Sequence, residues 1–376
     1  MKPKFEFIHS RLQEIKKRDL YRRLHPNKVS GENIFFGKRK LVNFSSNDYL
    51  GLGLTALPRS QLQSSSRLVS GNDVVFEKLE SRLARHKYQE ASLVFPTGYM
   101  ANLGMISAIP QKGDMVLSDE LNHASIIDSC RLGHSKKIIY HHNDMRDLER
   151  KIRKKSRRKF VVTEGIFSMN GDFSKLDQIT ELCKKHGAFL ILDDAHGDFV
   201  AGPDGRGSGA HFGVARMVDI YISSLSKGLG AFGGYAASTK EVIDLAVNTS
   251  RSFIYTSALP NFLVQVALDK FNSERERQRT KLWKNTGLVK RGLESAGYAI
   301  DSETHIIPIV IGDEKKAMGF GRYLFDNGIF AQPIRYPTVG RGKARIRISV
   351  TAWLSSDSIA RSIEVFGKAG KKFGVT

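Results

Sequence analysis

Between Ser92 and Ser223 short runs of consecutive apolar residues alternate with segments in which apolar positions recur every three or four residues. The runs are Ser92–Phe95, Met115–Leu117, Ile138–Tyr140, Phe160–Thr163, Phe189–Leu192 and Ile220–Ser223. Val, Ile and Leu on successive positions mark strands buried on both faces. Segments such as DFSKLDQITELCKKHG have helical spacing instead. The alternation predicts an α/β domain around a mostly parallel sheet. Upstream, residues 4–24 read as a helix, LVNFSSNDYLGL as a short strand entering a turn, and DVVFEKLESRLARHKY as a helix over 73–88. Downstream, a long charged helix is expected over 265–295, with Gly297 as its stop. HIIPIVIG, AMGFGRYLFDNG and ARIRISV then suggest a small α+β domain. The expected division is 1–45 as an N-terminal helix and arm, 46–275 as a large domain and 276–376 as a small C-terminal domain.

Composition changes this picture in one respect. Of 376 residues, 41% are apolar and 26% charged, as in ordinary globular proteins. No apolar run is long enough to span a bilayer, so no membrane association is expected. The charged N-terminus lacks the apolar stretch of a secretory signal. Two cysteines, Cys130 and Cys183, form neither a disulfide framework nor a metal-ligand spacing. A cytoplasmic setting and no metal are the expectation. The unusual quantity is charge: 59 Lys and Arg against 38 Asp and Glu give +21. The basic residues concentrate in IKKRDLYRRLHPNK and in Arg150–Lys159. Solvated helix faces account for such clusters; the sharper reading is a docking surface for an acidic carrier protein or a nucleic acid. No zinc-finger or RNP-type motif accompanies them, so specific nucleic-acid recognition is not expected.

Candidate chemistry lies at the ends of the apolar runs. AFLILDDAHGDFV ends a strand in Asp193 and Asp194, with His196 two residues on. The next strand ends in Ser224-Leu225-Ser226-Lys227-Gly228. In a parallel sheet both ends emerge on the edge where α/β folds bind ligands. Asp193 and Lys227 could there be a plain salt bridge. They are also the pair that pyridoxal 5′-phosphate (PLP) chemistry needs: a lysine to join the aldehyde and an acid to keep the pyridine nitrogen protonated. Phosphate would need a cradle, and FPTGYMANLGM offers Thr97-Gly98-Tyr99 at a helix start. His123 in DELNHASIIDS sits where a loop enters a helix, as a cap or as a ring able to stack on a planar group. Glu164 and Ser168 in TEGIFSMNGD follow another strand on the same edge.

SNDYLGL, SRLVSG, PTGYMAN, NHAS, TEGIFSMNGD, DDAHG and SLSKG, in this order, resemble the motifs of the α-oxoamine synthases. These are fold-type I PLP enzymes, aspartate aminotransferase-like in fold, that condense an amino acid with an acyl thioester and release carbon dioxide. The resemblance runs from about residue 40 to the C-terminus. It implies that Lys227 is the Schiff-base lysine, Asp193 the partner of the pyridine nitrogen, His196 the partner of the ring hydroxyl oxygen, and His123 the stacking ring. These four are the expected catalytic residues. Gly98, Tyr99, Glu164, Ser168 and Ser224 are the further cofactor contacts it implies. Thr256 and Ser257 in RSFIYTSALP match a stretch that reaches the phosphate of the neighbouring subunit, which implies a homodimer with shared sites. Arg347 in ARIRISV matches the arginine that holds the substrate carboxylate, a bidentate task. Thr338, Asn47 of SNDYLGL and Arg22 match substrate-contacting positions, as His123 does. SRLVSG and IRYPTVGRGKARIR match the branch of the family that takes L-alanine and a pimeloyl thioester, carried on coenzyme A or on acyl carrier protein. Tyr336, Trp353 and the serines of SSSRLVSG depart from the usual pattern.

Overall fold

The computed structural model of the chain describes residues 6–18, 21, 25–54 and 64–376. Helix α1 (Glu6–Lys17) precedes an antiparallel meander, β1 (Lys28–Ser30), β2 (Asn33–Phe36) and β3 (Arg39–Asn43). The chain then runs through α2 (Val74–His86), β4 (Ala91–Phe95), α3 (Gly98–Ala108), β5 (Met115–Asp119), α4 (Ala124–Leu132), β6 (Lys136–Tyr140), α5 (Met145–Ile152) and β7 (Lys159–Glu164). It continues through α6 (Leu176–His186), β8 (Ala188–Asp193), α7 (Ser208–His211), β9 (Ile220–Ser224), β10 (Gly234–Ser238), α8 (Lys240–Thr249), α9 (Arg251–Ile254), α10 (Asn261–Phe271) and α11 (Arg275–Ser295). Last come β11 (Ile306–Gly312), α12 (Glu314–Asp326), β12 (Ile329–Phe330), β13 (Pro333–Ile334), β14 (Ala344–Ser349) and α13 (Ser356–Phe373). No described helix is long and apolar enough to cross a membrane.

Residues 47–282 form one compact unit; residues 1–46 and 283–376 form the other. The N-terminal arm thus clusters with the C-terminal segment, and the divide falls inside α11. The tie is a strand pair: β12 lies parallel to β3, with Ile329 opposite Val42. In the same unit β11, β14 and β13 make a separate antiparallel sheet. The long helix expected over 265–295 is two helices. Asn272 caps α10, its N–H bonding back to the Leu268 and Asp269 carbonyls. Asn and Ser, here Asn272 and Ser273, favour such local turns over a helix interior.

The larger unit is built on a seven-stranded sheet of order β4-β10-β9-β8-β7-β5-β6. β5 to β9 run parallel, and β10 lies antiparallel between β4 and β9. Every expected strand is present, and the central residues of β4, β5, β7, β8 and β9 are buried as the apolar runs require; β6, at the sheet edge, is the exception, with Ile139 exposed. The core on one face joins Leu93, Phe95, Met105, Val116, Val162, Ile191 and Phe253. β10 was not expected, because GYAAS carries no branched apolar residue. Its glycine has a steric cause: a Cβ at Gly234 would collide with the Gly98 amide nitrogen. Strand and helix start therefore approach more closely than any side chain permits.

Candidate active site

The carboxyl ends of β7, β8 and β9 bring together Glu164, Asp193 and, three residues past β9, Lys227. Glu164 and Asp193 occupy paired register positions, and both are buried. Two adjacent carboxylates out of water disfavour ionisation of one. Burial first, then the Asp193 charge, push Glu164 up to about 8, against the Lys227 cation and the His123 and Ser168 backbone N–H groups. At neutral pH Glu164 is thus mainly protonated. Its Oε1 is buried without a hydrogen-bond partner.

Asp193 is held from two sides. Its Oδ1 accepts the Ala195 N–H at 3.0 Å and its Oδ2 accepts the Asn102 amide at 2.6 Å. Asn102 also donates to Ser125 Oγ at 2.9 Å, and that hydroxyl meets His123 Nδ1 at 2.7 Å. His123 caps α4, its Nδ1 accepting the Ser125 N–H. With Nδ1 an acceptor, the His123 proton sits on Nε2. Burial, opposed by Asp193 and reinforced by the Lys227 cation, lowers the His123 pKa and keeps the imidazole neutral.

His196 stands two residues beyond Asp194 and is buried. Its Nε2 is 2.9 Å from Lys227 Nζ, and its Nδ1 is 2.7 Å from the Tyr49 hydroxyl, which also donates to Asn47 Oδ1 at 3.1 Å. Thr97 caps α3 by accepting the Met100 N–H. The N–H groups of Gly98 and Tyr99 in that first turn remain for an anion. A Cβ at Gly98 would press on Ser224 Cβ at 3.1 Å. Ser224 Oγ in turn meets Ser226 Oγ at 2.8 Å. Ser168 is buried beside Glu164.

Together these residues fit PLP. The buried Asp193 carboxylate would suit a cationic ring nitrogen, the glycine cradle at α3 could take a phosphate, and Lys227 could supply the amine. Thr256 and Ser257 follow α9, which packs on α3 through the Ser252 hydroxyl to the Met100 carbonyl at 2.7 Å. Arg347, half-buried on β14, and Thr338, exposed in the loop before it, belong to the other unit. Arg22 lies outside the described residues. Sequence reasoning missed Asn102, Ser125 and the role of Tyr49. Asn102 carried a signal, being a buried polar residue one turn into an otherwise apolar helix.

One further cluster steadies the loop that carries Ser168. His142 Nδ1 lies 3.0 Å from Asp119, and its Nε2 lies 2.7 Å from Asp172. Burial opposes its charge, but the two aspartates win and raise the His142 pKa to about 9. A raised histidine stabilises the fold fully below its unfolded value of about 6.5, and the effect is lost as pH rises through about 9. The melting temperature of His142→Gln should therefore fall well below the parent's at pH 6, and the gap should close by pH 10.

The basic segment Arg150–Lys159 lies elsewhere. It joins the end of α5 to the start of β7, where Arg157 and Arg158 pair with Asp114 at 2.9 and 3.0 Å. The site occupies the far ends of the same strands. The six residues of β7 put about 17 Å between the two. A carrier docked on this segment would thus meet the sheet end opposite the reacting amine.

The aminotransferase class I and II family model matches residues 39–366, and the chain belongs to that family. Within it, the chain is 41% identical to the 8-amino-7-oxononanoate synthase of Thermoanaerobacter pseudethanolicus, over 98% of each chain. Among solved structures it is similar to Sphingomonas wittichii serine palmitoyltransferase, with a TM-score of 0.91, 29% identity and coverage of 99% of this chain and 98% of that one. The 8-amino-7-oxononanoate synthase of Francisella tularensis also matches, with a TM-score of 0.73, 26% identity and coverage of 88% and 98%.

Proposed function

We propose that the protein condenses L-alanine with a pimeloyl thioester to give 8-amino-7-oxononanoate, carbon dioxide and the free thiol carrier, with PLP held on Lys227. The product is an intermediate of biotin biosynthesis. The observation that carries this reading is the Lys227–His196 contact at 2.9 Å beside the buried pair Asp193 and Glu164, in a chain similar along its length to 8-amino-7-oxononanoate synthases.

PLP, when bound, supplies an electron sink for the charge left on the amino-acid α-carbon. The chain's own residues do the rest. Asp193, fixed by Asn102 and Ala195, holds the ring nitrogen protonated. His123, neutral and anchored by Ser125, would stack on the ring. His196, together with Ser168, Ser224 and protonated Glu164, would hold the ring substituents. The Gly98 and Tyr99 amides take the phosphate, joined by Thr256 and Ser257 of a second copy in a homodimer. Lys227 would hold the cofactor through its amine and, once freed, would take the α-proton as general base. Arg347 would hold the alanine carboxylate and so orient the α-carbon; Asn47, Thr338 and Arg22 would contact the substrates. In the condensation a carbon–carbon bond forms as the thioester carbon–sulfur bond breaks, the thiol leaves with a proton, the alanine carboxyl leaves as carbon dioxide, and the α-carbon takes up a proton from solvent.

Isotope labelling tests this directly. With pimeloyl-CoA or pimeloyl-acyl carrier protein, alanine labelled at C2 and C3 should give a product carrying both labels. Alanine labelled at C1 should release all label as carbon dioxide. A second reading, serine with a long-chain acyl donor, is favoured by the likeness to serine palmitoyltransferase. Turnover of serine in preference to alanine would select it.

A further inference from the structure

A lysine withdrawn completely from water needs full compensation for its charge. Lys87, just past α2, is such a residue, with its side chain wholly buried. Its ammonium has three protons and three acceptors: Asp194 Oδ2 at 2.9 Å, Asp198 Oδ1 at 2.7 Å and the Arg206 carbonyl at 2.8 Å. It also lies 5.0 Å from the centre of the Tyr221 ring.

The two aspartates lie two residues before and two residues after His196 in Asp193-Asp194-Ala195-His196-Gly197-Asp198. Each has further anchors. Asp194 accepts the Ser208 N–H at 3.1 Å, and a Cβ at Gly165, Gly197 or Gly207 would collide with its carboxylate. Asp198 accepts from the Tyr235 hydroxyl at 2.5 Å and meets His86 Nε2 at 3.0 Å. His86 stacks on Phe199, and the Arg275 guanidinium covers the same ring. The turn bearing His196 is therefore gripped on both shoulders by one ammonium, while the imidazole faces Tyr49 and Lys227.

We propose that Lys87 is a positioning residue for the Lys227 amine, acting through Asp194 and Asp198 on the His196 turn. It touches neither substrate nor cofactor. Its position, about 140 residues before Lys227 in the chain, places it in no motif of the site. The proposal rests on Lys227 being the cofactor-bearing residue.

The test uses the holoenzyme and two variants, Lys87→Met and the isosteric Asp194→Asn. Borohydride reduction and peptide mass mapping of the parent comes first. Cofactor mass on Lys227 upholds the underlying reading, and its absence there overturns that reading alone. Next, the pH midpoint of the cofactor absorbance, the PLP dissociation constant of the apoprotein, and kcat and KM are measured. Lys87→Met leaves net negative charge behind the site and should move the midpoint up; Asp194→Asn removes negative charge and should move it down. Both should bind PLP more weakly and lose about tenfold or more in kcat, with KM for the acyl donor within about twofold. A lysine that only braces the fold would shift melting temperature without opposite shifts in the midpoint. Unmoved midpoints and kcat in folded variants overturn the proposal. If Lys87→Met does not fold, Asp194→Asn decides alone by the same measures.

Discussion

Replacing Lys227 by alanine is expected to abolish turnover, a loss of at least about a thousandfold, and to remove the visible absorbance of the lysine-bound cofactor. The proposed reaction gives the amine two tasks, anchoring the cofactor and moving the α-proton, and no other lysine reaches His196 Nε2 among the described residues. The fold should survive. Lys227 is half-buried, and the sheet behind it is tied by backbone pairs from β8 to β10. Far-ultraviolet circular dichroism and melting temperature should therefore stay near the parent's while activity vanishes. Full activity with a retained absorbance band would refute the assignment of Lys227.

Asp193→Asn should produce the second large effect, a fall of about 100- to 1,000-fold in kcat/KM. The substitution keeps the shape of the side chain and a carbonyl oxygen for Asn102, and it removes the charge that would hold a ring nitrogen protonated. It has a second, separable consequence. The Asp193 charge is one of the two causes that raise Glu164 to about 8. Without it Glu164 should ionise at lower pH, and any limb of the pH–rate profile that follows Glu164 should move toward acid. Replacing Asp193 without loss of activity, or with an unmoved profile, would remove it from the site.

Much of this was legible beforehand because the parallel strands announce themselves. Runs such as FLIL in β8 are apolar on both faces, and each ends at a polar residue on one sheet edge. Asp193, Glu164 and Lys227 could thus be put on that edge from pattern alone. β10 escaped because Gly and Ala give no strand signal, and its place between β4 and β9 depends on close backbone approach. The break between α10 and α11 escaped because charged residues continue across it. The roles of Asn102 and Tyr49 were not legible because they act through distant partners: Asn102 reaches Asp193, 91 positions away, and Tyr49 reaches His196, 147 positions away. The charge pattern does not mark the site. Arg150–Lys159 dominates the linear charge map, yet it belongs to the sheet end remote from Lys227.

The placement of β10 also governs how the molecule can be made. β4 borders the large sheet only through β10, whose residues lie about 140 positions downstream. A growing chain that has emerged through Lys227 therefore holds Asp193, His196 and Lys227 but still lacks β10, the strand that packs against Gly98. If the α3 start is the phosphate cradle proposed above, ribosome-held fragments ending before Ser238 should be unable to retain the cofactor, and fragments ending after α10 should be able to do so.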